Sequence, residues 1–248
     1  MPHSKYNWSE MDGKDIINAL NNDPETKNNC QWEKISSFEW TVILKVKPEL
    51  ADKCDWKKLP VWNQIRILCC HPELASFADI SSGEGQDIVQ LLKLHPNINI
   101  AVPWESLTGK DWADLLVSNI KFADFCNFDL LTGDEWSYIL CGVPELASRC
   151  DKWGEISGDF WVTLLQTEPQ FAEYCHWDIL SGENWSYLLG TDPEFSAHCN
   201  FDLLNGENWS ILLQIQPQFA EYCNFDLLND YDWESLLEEQ PQFVNKRK

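Results

Sequence analysis

The segment from Cys199 to Cys223 reads CNFDLLNGENWSILLQIQPQFAEYC, and it decides the fold. Sliding it along the 248-residue chain in steps of 24 brings nine prolines and two sets of aromatic residues into register. One inserted residue, near Asp151 and Lys152, shifts this register. Chance does not align nine prolines, so we predict ten tandem copies of one unit. The proline column contains Pro24, Pro48, Pro72, Pro96, Pro144, Pro169, Pro193, Pro217 and Pro241.

Each unit carries the signals of a capped amphipathic helix. A hydroxyl residue followed three positions later by an acid is typical of a capping box. In other units Ser181 and Asn205 can supply the N-cap oxygen. Trp209, Leu212 and Leu213 then follow at the i, i+3, i+4 spacing of one apolar face, which predicts a helix of about ten residues. The expected boxes are Ser36 with Glu39, Thr108 with Asp111, and Thr132 with Glu135.

The rest of the unit predicts shorter helical pieces. The column proline fits the first turn of a second, short helix, where its missing N–H costs nothing. The segment 224–228 is too short for a full helix, so we expect a single turn, of 3₁₀ type. Strand-like alternation is absent from the sequence. We therefore predict an all-α, elongated α-solenoid of ten 24-residue repeats, forming one domain over residues 1–248.

Two regions differ from the average unit. Over residues 59–103 the aromatic and cysteine columns degrade, as Gln64, Ile80 and Ile88 show. Drift with the core kept filled is one interpretation, and a bend or binding feature at residues 94–100 is the other. Over residues 126–245 the repeats are regular and strongly acidic.

Seven of the ten cysteines share one column of the repeat. Packed helical layers lie about 8–10 Å apart, whereas a disulfide needs Cα atoms within about 7 Å. We expect these thiols to be reduced, buried and apolar in character. Cys69 and Cys141 fall in a polar column, and we expect them to be exposed. No CxxC motif occurs, which disfavours a structural zinc site.

No arrangement of residues predicts catalysis. The five histidines occupy unrelated columns, and none lies beside a candidate nucleophile. Acid pairs such as Asp134 and Glu135 fall in the first helical turn, where the helix dipole favours them. EF-hand spacing and a phosphate-binding glycine loop are both missing. We predict no enzymatic activity, no cofactor and no metal, and we do not expect a small-molecule ligand.

The consensus CxWxxLxGxxWxxLLxxxPxFAxxC resembles the tandem Trp-rich repeats of uncharacterised bacterial proteins, over nearly the whole chain. That resemblance implies a repeat architecture and brings no activity with it. A looser similarity is to variant leucine-rich repeats, which also have 24 residues and alternate α and 3₁₀ helices. The Leu-based motif and the cysteine cluster of that family are missing here, so the similarity implies period and architecture only.

The charge is distributed unevenly. The chain has a net charge of −22, of which residues 1–125 contribute −5 and residues 126–248 contribute −17. Between Trp153 and Asn245 there are 17 acids and no Lys or Arg. Such a charge excludes direct affinity for nucleic acids or anionic lipids and favours a basic partner. With no signal core and no apolar run of membrane length, the sequence predicts a cytoplasmic protein.

Two functional hypotheses follow. In the first, the chain is a protein–protein interaction scaffold whose acidic surface binds a basic protein. In the second, the acidic repeats mimic a nucleic acid and inhibit a DNA- or RNA-binding enzyme, as some phage anti-defence proteins do. Their charge density, near one per 2–2.5 Å over an estimated 40 Å, is comparable to that of duplex DNA, about one per 1.7 Å. The candidate partner-binding residues are Asp134, Glu135, Asp159, Glu183, Glu207, Asp230, Asp232 and Glu234.

Overall fold

The computed structural model describes residues 6–8, 10–28 and 30–247. Within those ranges every regular secondary-structure element is a helix, and no strand is present. The long helices are ten residues each, apart from an eight-residue third helix. They are α1 (Gly13–Asn22), α2 (Ser37–Val46), α3 (Val61–Leu68), α4 (Gly85–Leu94), α5 (Gly109–Ser118), α6 (Gly133–Gly142), α7 (Gly158–Thr167), α8 (Gly182–Thr191), α9 (Gly206–Ile215) and α10 (Asp230–Glu239).

The chain divides into two compact units, unit 1 (Met1–Asn127) and unit 2 (Phe128–Lys248). In unit 1 each helix from α1 to α4 packs against the next one in the sequence. In unit 2 the same is true from α6 to α9. Helices that pack on their sequence neighbours are the defining feature of a solenoid. The predicted all-α repeat architecture is therefore confirmed in each unit.

Short 3₁₀ helices connect the long ones. One begins at the column proline, and a second, of three residues, precedes the next long helix. The turn expected at residues 224–228 is a 3₁₀ helix over Phe225–Leu227, as predicted. In unit 1 the 3₁₀ helices are Pro24–Asn28, Trp32–Lys34, Pro48–Lys53, Trp56–Lys58, Pro72–Phe77, Trp104–Ser106 and Ile120–Asp124. In unit 2 they are Phe128–Leu130, Pro144–Arg149, Trp153–Glu155, Pro169–Tyr174, Trp177–Ile179, Pro193–His198, Phe201–Leu203, Pro217–Glu221, Phe225–Leu227 and Pro241–Lys246.

In the regular repeats the residues of the two aromatic columns pack against each other. Trp185 of α8 is 1% exposed, and its ring stacks on that of Trp177 with centroids 5.6 Å apart. Phe201 and Trp209 repeat this arrangement in the next unit at 5.7 Å. Each stacked pair joins a long helix to the three-residue 3₁₀ helix before it. The aromatic residues therefore fix the angle between the two elements as well as filling the core.

The degenerate stretch over residues 59–103 keeps a packed core by a different means. Gln64 occupies the tryptophan column and is buried. Its Nε2 donates to the carbonyls of Trp56 and Leu59, at 3.1 and 3.0 Å, and its Oε1 accepts from the N–H of Asp79 at 2.8 Å. Burial of this amide is tolerated because its polar atoms are hydrogen-bonded. Residues 78–84 and 95–103 form turns and bends where other repeats have 3₁₀ helices.

The inserted residue is accommodated at Lys152. Its backbone has φ −110° and ψ 28°, whereas His176 at the corresponding position has φ −85° and ψ 86°. The Lys152 ammonium donates to the carbonyls of Asp129 and Leu131 in the preceding repeat, at 3.2 and 2.7 Å. The extra residue thus adds contacts between two repeats, and the α6–α7 packing continues across it.

A second set of bonds between repeats caps the helix C-termini. Where the residue before the column proline is His or Gln, its side chain reaches back 26 positions to a backbone carbonyl near the end of the preceding long helix. His95 Nε2 donates to the carbonyl of Cys69 at 2.9 Å, and Gln216 Nε2 to that of Gly190 at 2.8 Å. Carbonyls in the last turn of a helix have no partner within that helix. The following repeat therefore supplies the missing donor.

Candidate interaction surface of unit 2

Two of the predicted partner-binding acids cap helices. Glu135 accepts hydrogen bonds from the N–H and hydroxyl of Thr132, at 2.8 and 3.1 Å, in the expected capping box. Asp232 is 3% exposed, and it accepts from the N–H of Asn229 in the same way. The box predicted at Thr108 is also present, whereas that at Ser36 is one-sided, since only the Ser36 side chain accepts from the Glu39 N–H. Asp232 is thus enclosed by its own helix terminus.

Two further acids connect neighbouring repeats. Asp134 Oδ1 accepts from the backbone N–H of Ser157 at 2.8 Å, 23 residues along the chain. Asp159 Oδ1 accepts from the side-chain amide of Asn184 at 2.7 Å, and Asn184 itself completes the capping box of α8. These carboxylates stabilise the stacking of α6 on α7 and of α7 on α8. Asp159 nevertheless remains exposed.

Asp230 and Glu234 lie on the last long helix, α10. Asp230 pairs with Arg247 and occupies a column that is glycine in α6, α7, α8 and α9. Glu234 is exposed at the position where α9 has the buried Ser210. Ser210 donates to the carbonyl of Asp232 in the next repeat at 2.9 Å. The face of α10 that corresponds to the stacking face of α9 is therefore acidic.

Glu183 and Glu207 are the remaining candidates. Each is exposed at the second residue of its helix. Within the residues that the structure describes, neither carboxylate forms a hydrogen bond or an ion pair. Both lie at helix N-termini, where the backbone dipole stabilises the negative charge. Of the eight predicted acids, these two and the exposed Glu234 are the ones whose carboxylates form no such bond in the described structure.

The glycines beside them show which surface these carboxylates share. A Cβ added at Gly182 would overlap the carbonyl oxygen of Leu203, and one at Gly206 would overlap that of Leu227. Such a close approach of two backbones requires glycine. Glu183 and Glu207 follow these glycines directly, so each acid lies one residue from the point where its helix meets the 3₁₀ segment of the following repeat.

The exposed side chain of that 3₁₀ segment is aliphatic. Ile179, Leu203 and Leu227 end their three-residue helices and are 42%, 46% and 48% exposed. Acid and aliphatic side chains therefore alternate over three successive repeat contacts. We refer to this set as the acid–aliphatic row, formed by Asp159, Ile179, Glu183, Leu203, Glu207 and Leu227.

Sequence reasoning missed the aliphatic half of this row. The signal was present, because the triplets WDI and FDL recur at residues 177–179, 201–203 and 225–227. The third residue of each triplet is Ile or Leu, the same residue types that fill the core. Only the structure shows that it is exposed. The middle residues of the first two triplets, Asp178 and Asp202, are exposed as well. The row therefore has further carboxylates beside its aliphatic residues.

The column cysteines are free thiols, although they are less buried than expected. Cys54 and Cys175 are buried, whereas Cys30, Cys126, Cys150, Cys199 and Cys223 are half-buried. The column lies at the C-terminal end of the proline-initiated 3₁₀ helices. Desolvation by burial still raises the pKa of Cys175 and Cys199 to about 12. Thiols of this kind are poor nucleophiles.

The cysteines outside that column also differ from expectation in part. Cys69 and Cys141 are half-buried rather than exposed, and Cys70 is exposed. Burial raises the pKa of Cys69. The Sγ of Cys141 accepts a hydrogen bond from the hydroxyl of Thr167 in the following repeat at 3.2 Å. Contacts between repeats thus cover positions that are polar in most units.

Comparison with known proteins gives no relative. No family model, no curated protein and no solved structure matches the chain. Within residues 6–8, 10–28 and 30–247, no group of three or more His, Cys, Asp or Glu side chains is arranged to hold a metal ion. In the same part of the chain, none of the helices combines the length and apolar character needed to cross a membrane.

Proposed function

We propose that the chain is an interaction scaffold, not an enzyme, and that the surface of unit 2 binds a basic protein. The observation that carries this proposal is the run of 17 acids without a single Lys or Arg between Trp153 and Asn245. In addition, carboxylates such as Glu183 and Glu207 are exposed and lack partners within the described structure. A surface of one charge sign attracts an oppositely charged partner over long distances and accelerates its association.

The arrangement of the acids favours a scaffold over a nucleic-acid mimic. A mimic needs its charges at the regular positions that phosphates occupy on a duplex. Glu135 and Asp232 instead cap helices, and Asp134 and Asp159 bond to neighbouring repeats. Exposed aliphatic side chains also interrupt the carboxylates, whereas a phosphate backbone has no equivalent. We retain mimicry as an outcome that the experiment detects.

The experiment measures direct binding of the purified chain to a partner first captured from the native host at about 50 mM salt. We expect a basic partner whose affinity falls steeply by about 200 mM salt, with no competition from duplex DNA or RNA. The Glu183→Gln, Glu207→Gln double variant should bind more weakly. The matched control is Glu33→Gln with Glu105→Gln in unit 1, two acids that are also exposed.

Three outcomes contradict the proposal in different ways. A partner without a basic surface, bound equally well at both salt concentrations, excludes the electrostatic scaffold. Competition by DNA or RNA for the same site of a nucleic-acid enzyme supports mimicry instead. Equal losses in the unit 2 and unit 1 variants would remove unit 2 from the proposal. The similarity to bacterial Trp-rich repeats implies no activity of its own. We expect binding to take place in the cytoplasm.

A further inference from the structure

The acid–aliphatic row has a regular geometry that narrows the chemistry of its partner. We infer that the row binds an extended basic segment that presents an apolar residue at every third position. The inference rests on the proposed function, because it assumes that unit 2 has a basic partner. It goes further by naming the acid–aliphatic row as the binding surface and a three-residue apolar period as the recognised pattern.

The first step is that the row is both apolar and charged. Ile179, Leu203 and Leu227 each leave more than two fifths of their surface exposed at equivalent positions. The exposed acids Asp159, Glu183 and Glu207 each follow a glycine that packs closely against the repeat carrying the aliphatic residue. Exposed apolar side chains in a rim of like charge are typical of interaction sites. The partner must therefore offer apolar residues and cations in alternation.

The second step is the spacing. Row residues repeat once per helical layer, and packed helices lie about 8–10 Å apart. In a polyproline-type extended segment every third residue faces the same side, at intervals of about 9 Å. An α-helix returns to the same face after seven residues, at about 10.5 Å, and a β-strand after two residues, at about 6.6 Å. The extended segment with a period of three fits the repeat of the row best.

The third step is that the equivalent positions of unit 1 do not form such a row. There the positions of Ile179 and Leu203 are taken by Lys34 and Lys58, both exposed. Those of Glu183 and Glu207 are taken by Phe38 and Trp62, also exposed. A basic segment that fits unit 2 would meet cations in unit 1. The row therefore provides one specific binding surface, even though the repeat runs through the whole chain.

The test uses the full chain and synthetic peptides of about twelve residues, labelled for fluorescence anisotropy. The first peptide repeats the triplet Leu-Lys-Arg, and the second has the same composition with its leucines grouped at one end. A third, longer peptide is helical and carries one leucine in every seven residues. We expect the first peptide to bind at least about tenfold more tightly than the other two.

Variants then locate the site. The triple substitution Ile179→Ser, Leu203→Ser and Leu227→Ser should weaken binding of the triplet peptide at least about tenfold. Its control, Ile215→Ser with Val244→Ser, removes aliphatic residues outside the row that are still more exposed, at 57% each, and should change affinity less than about twofold. Circular dichroism of each variant confirms that the chain is folded. These controls separate recognition by the row from a general effect of surface polarity.

The outcomes are distinguishable. Equal binding of the triplet and grouped peptides, or equal losses in row and control variants, overturns the row and leaves basic-partner binding intact. Preference for the helical peptide overturns the extended partner. Failure of every cationic peptide at about 50 mM salt overturns the row, whereas the proposed function fails only if the captured partner also lacks a basic surface. Self-association of the chain that the triple variant abolishes would assign the row to a second copy of the chain.

Discussion

Units 1 and 2 are built from the same repeat, yet they differ in how closely they follow it. In unit 2 the glycine column is filled in α6, α7, α8 and α9, and the tryptophan column is unbroken. In unit 1 the glycine column contains Ser37 and Val61, and the tryptophan column contains Gln64. At surface positions unit 1 has Lys34 where unit 2 has Ile179.

This difference separates two kinds of constraint. Core positions accept a replacement when local hydrogen bonds or packing compensate for it, as at Gln64. Surface positions have no such requirement, and they diverge in charge between the units. In unit 2 both the core columns and the exposed positions repeat regularly from one helix to the next. Variants that exchange features between the two units test this interpretation.

The largest loss of stability is expected when the glutamine found in the tryptophan column of unit 1 is placed in the same column of unit 2. Trp185→Gln should lower the free energy of unfolding by about 4 kcal/mol, because a buried ring is lost and a cavity remains. Gln64 avoids this cost by bonding to Trp56, Leu59 and Asp79 across a locally altered backbone. Denaturant unfolding followed by circular dichroism measures the loss.

The control at the same site is Trp185→Phe. The Trp185 indole N–H has no hydrogen-bond acceptor in the described part of the chain, so phenylalanine loses ring volume alone. We expect a cost of about 1–2 kcal/mol. A loss below about 1 kcal/mol for Trp185→Gln would show that unit 2 tolerates the glutamine as unit 1 does, which would contradict the comparison.

A smaller effect is expected at the glycine column. Gly182→Ala should destabilise the chain by about 2–3 kcal/mol, because the new Cβ overlaps the carbonyl of Leu203 and must push two repeats apart. Gly154→Ala is the matched control in the same unit, since its Cβ would meet only His176, at 3.9 Å. Thermal unfolding compares the two variants. Equal melting temperatures would mean that the repeats can separate at little cost.

The core of this fold could be predicted from the sequence because each column has one physical role. Eight of the nine column prolines begin a short helix as predicted, and the capping boxes at Thr108 and Thr132 also lie where their spacing placed them. Pro96 lies in a turn instead. The contacts between repeats could not be predicted. Nothing in the spacing shows that His95 bonds to Cys69 or that Asp134 bonds to Ser157.

The candidate site was predictable only in part for the same reason. Charge identifies the acids, but the sequence alone does not distinguish the buried cap Asp232 from the exposed Glu207. Leu203 and Leu204 are adjacent leucines, and the first is exposed while the second is buried. A 3₁₀ helix of three residues is too short for periodicity to assign its faces. Its exposed residue becomes evident only from the packing.

The smallest effect on stability is expected where the functional effect is greatest. Glu183→Gln with Glu207→Gln should change the free energy of unfolding by less than about 0.5 kcal/mol, because both carboxylates are exposed and lack partners within the described structure. Thr132→Ala is the structural comparison, and loss of its capping box should cost about 1 kcal/mol. If the glutamine pair destabilised the chain as much as Thr132→Ala, these carboxylates would have a structural role. The presence of Glu183 and Glu207 would then be explained by the fold of unit 2 rather than by a partner.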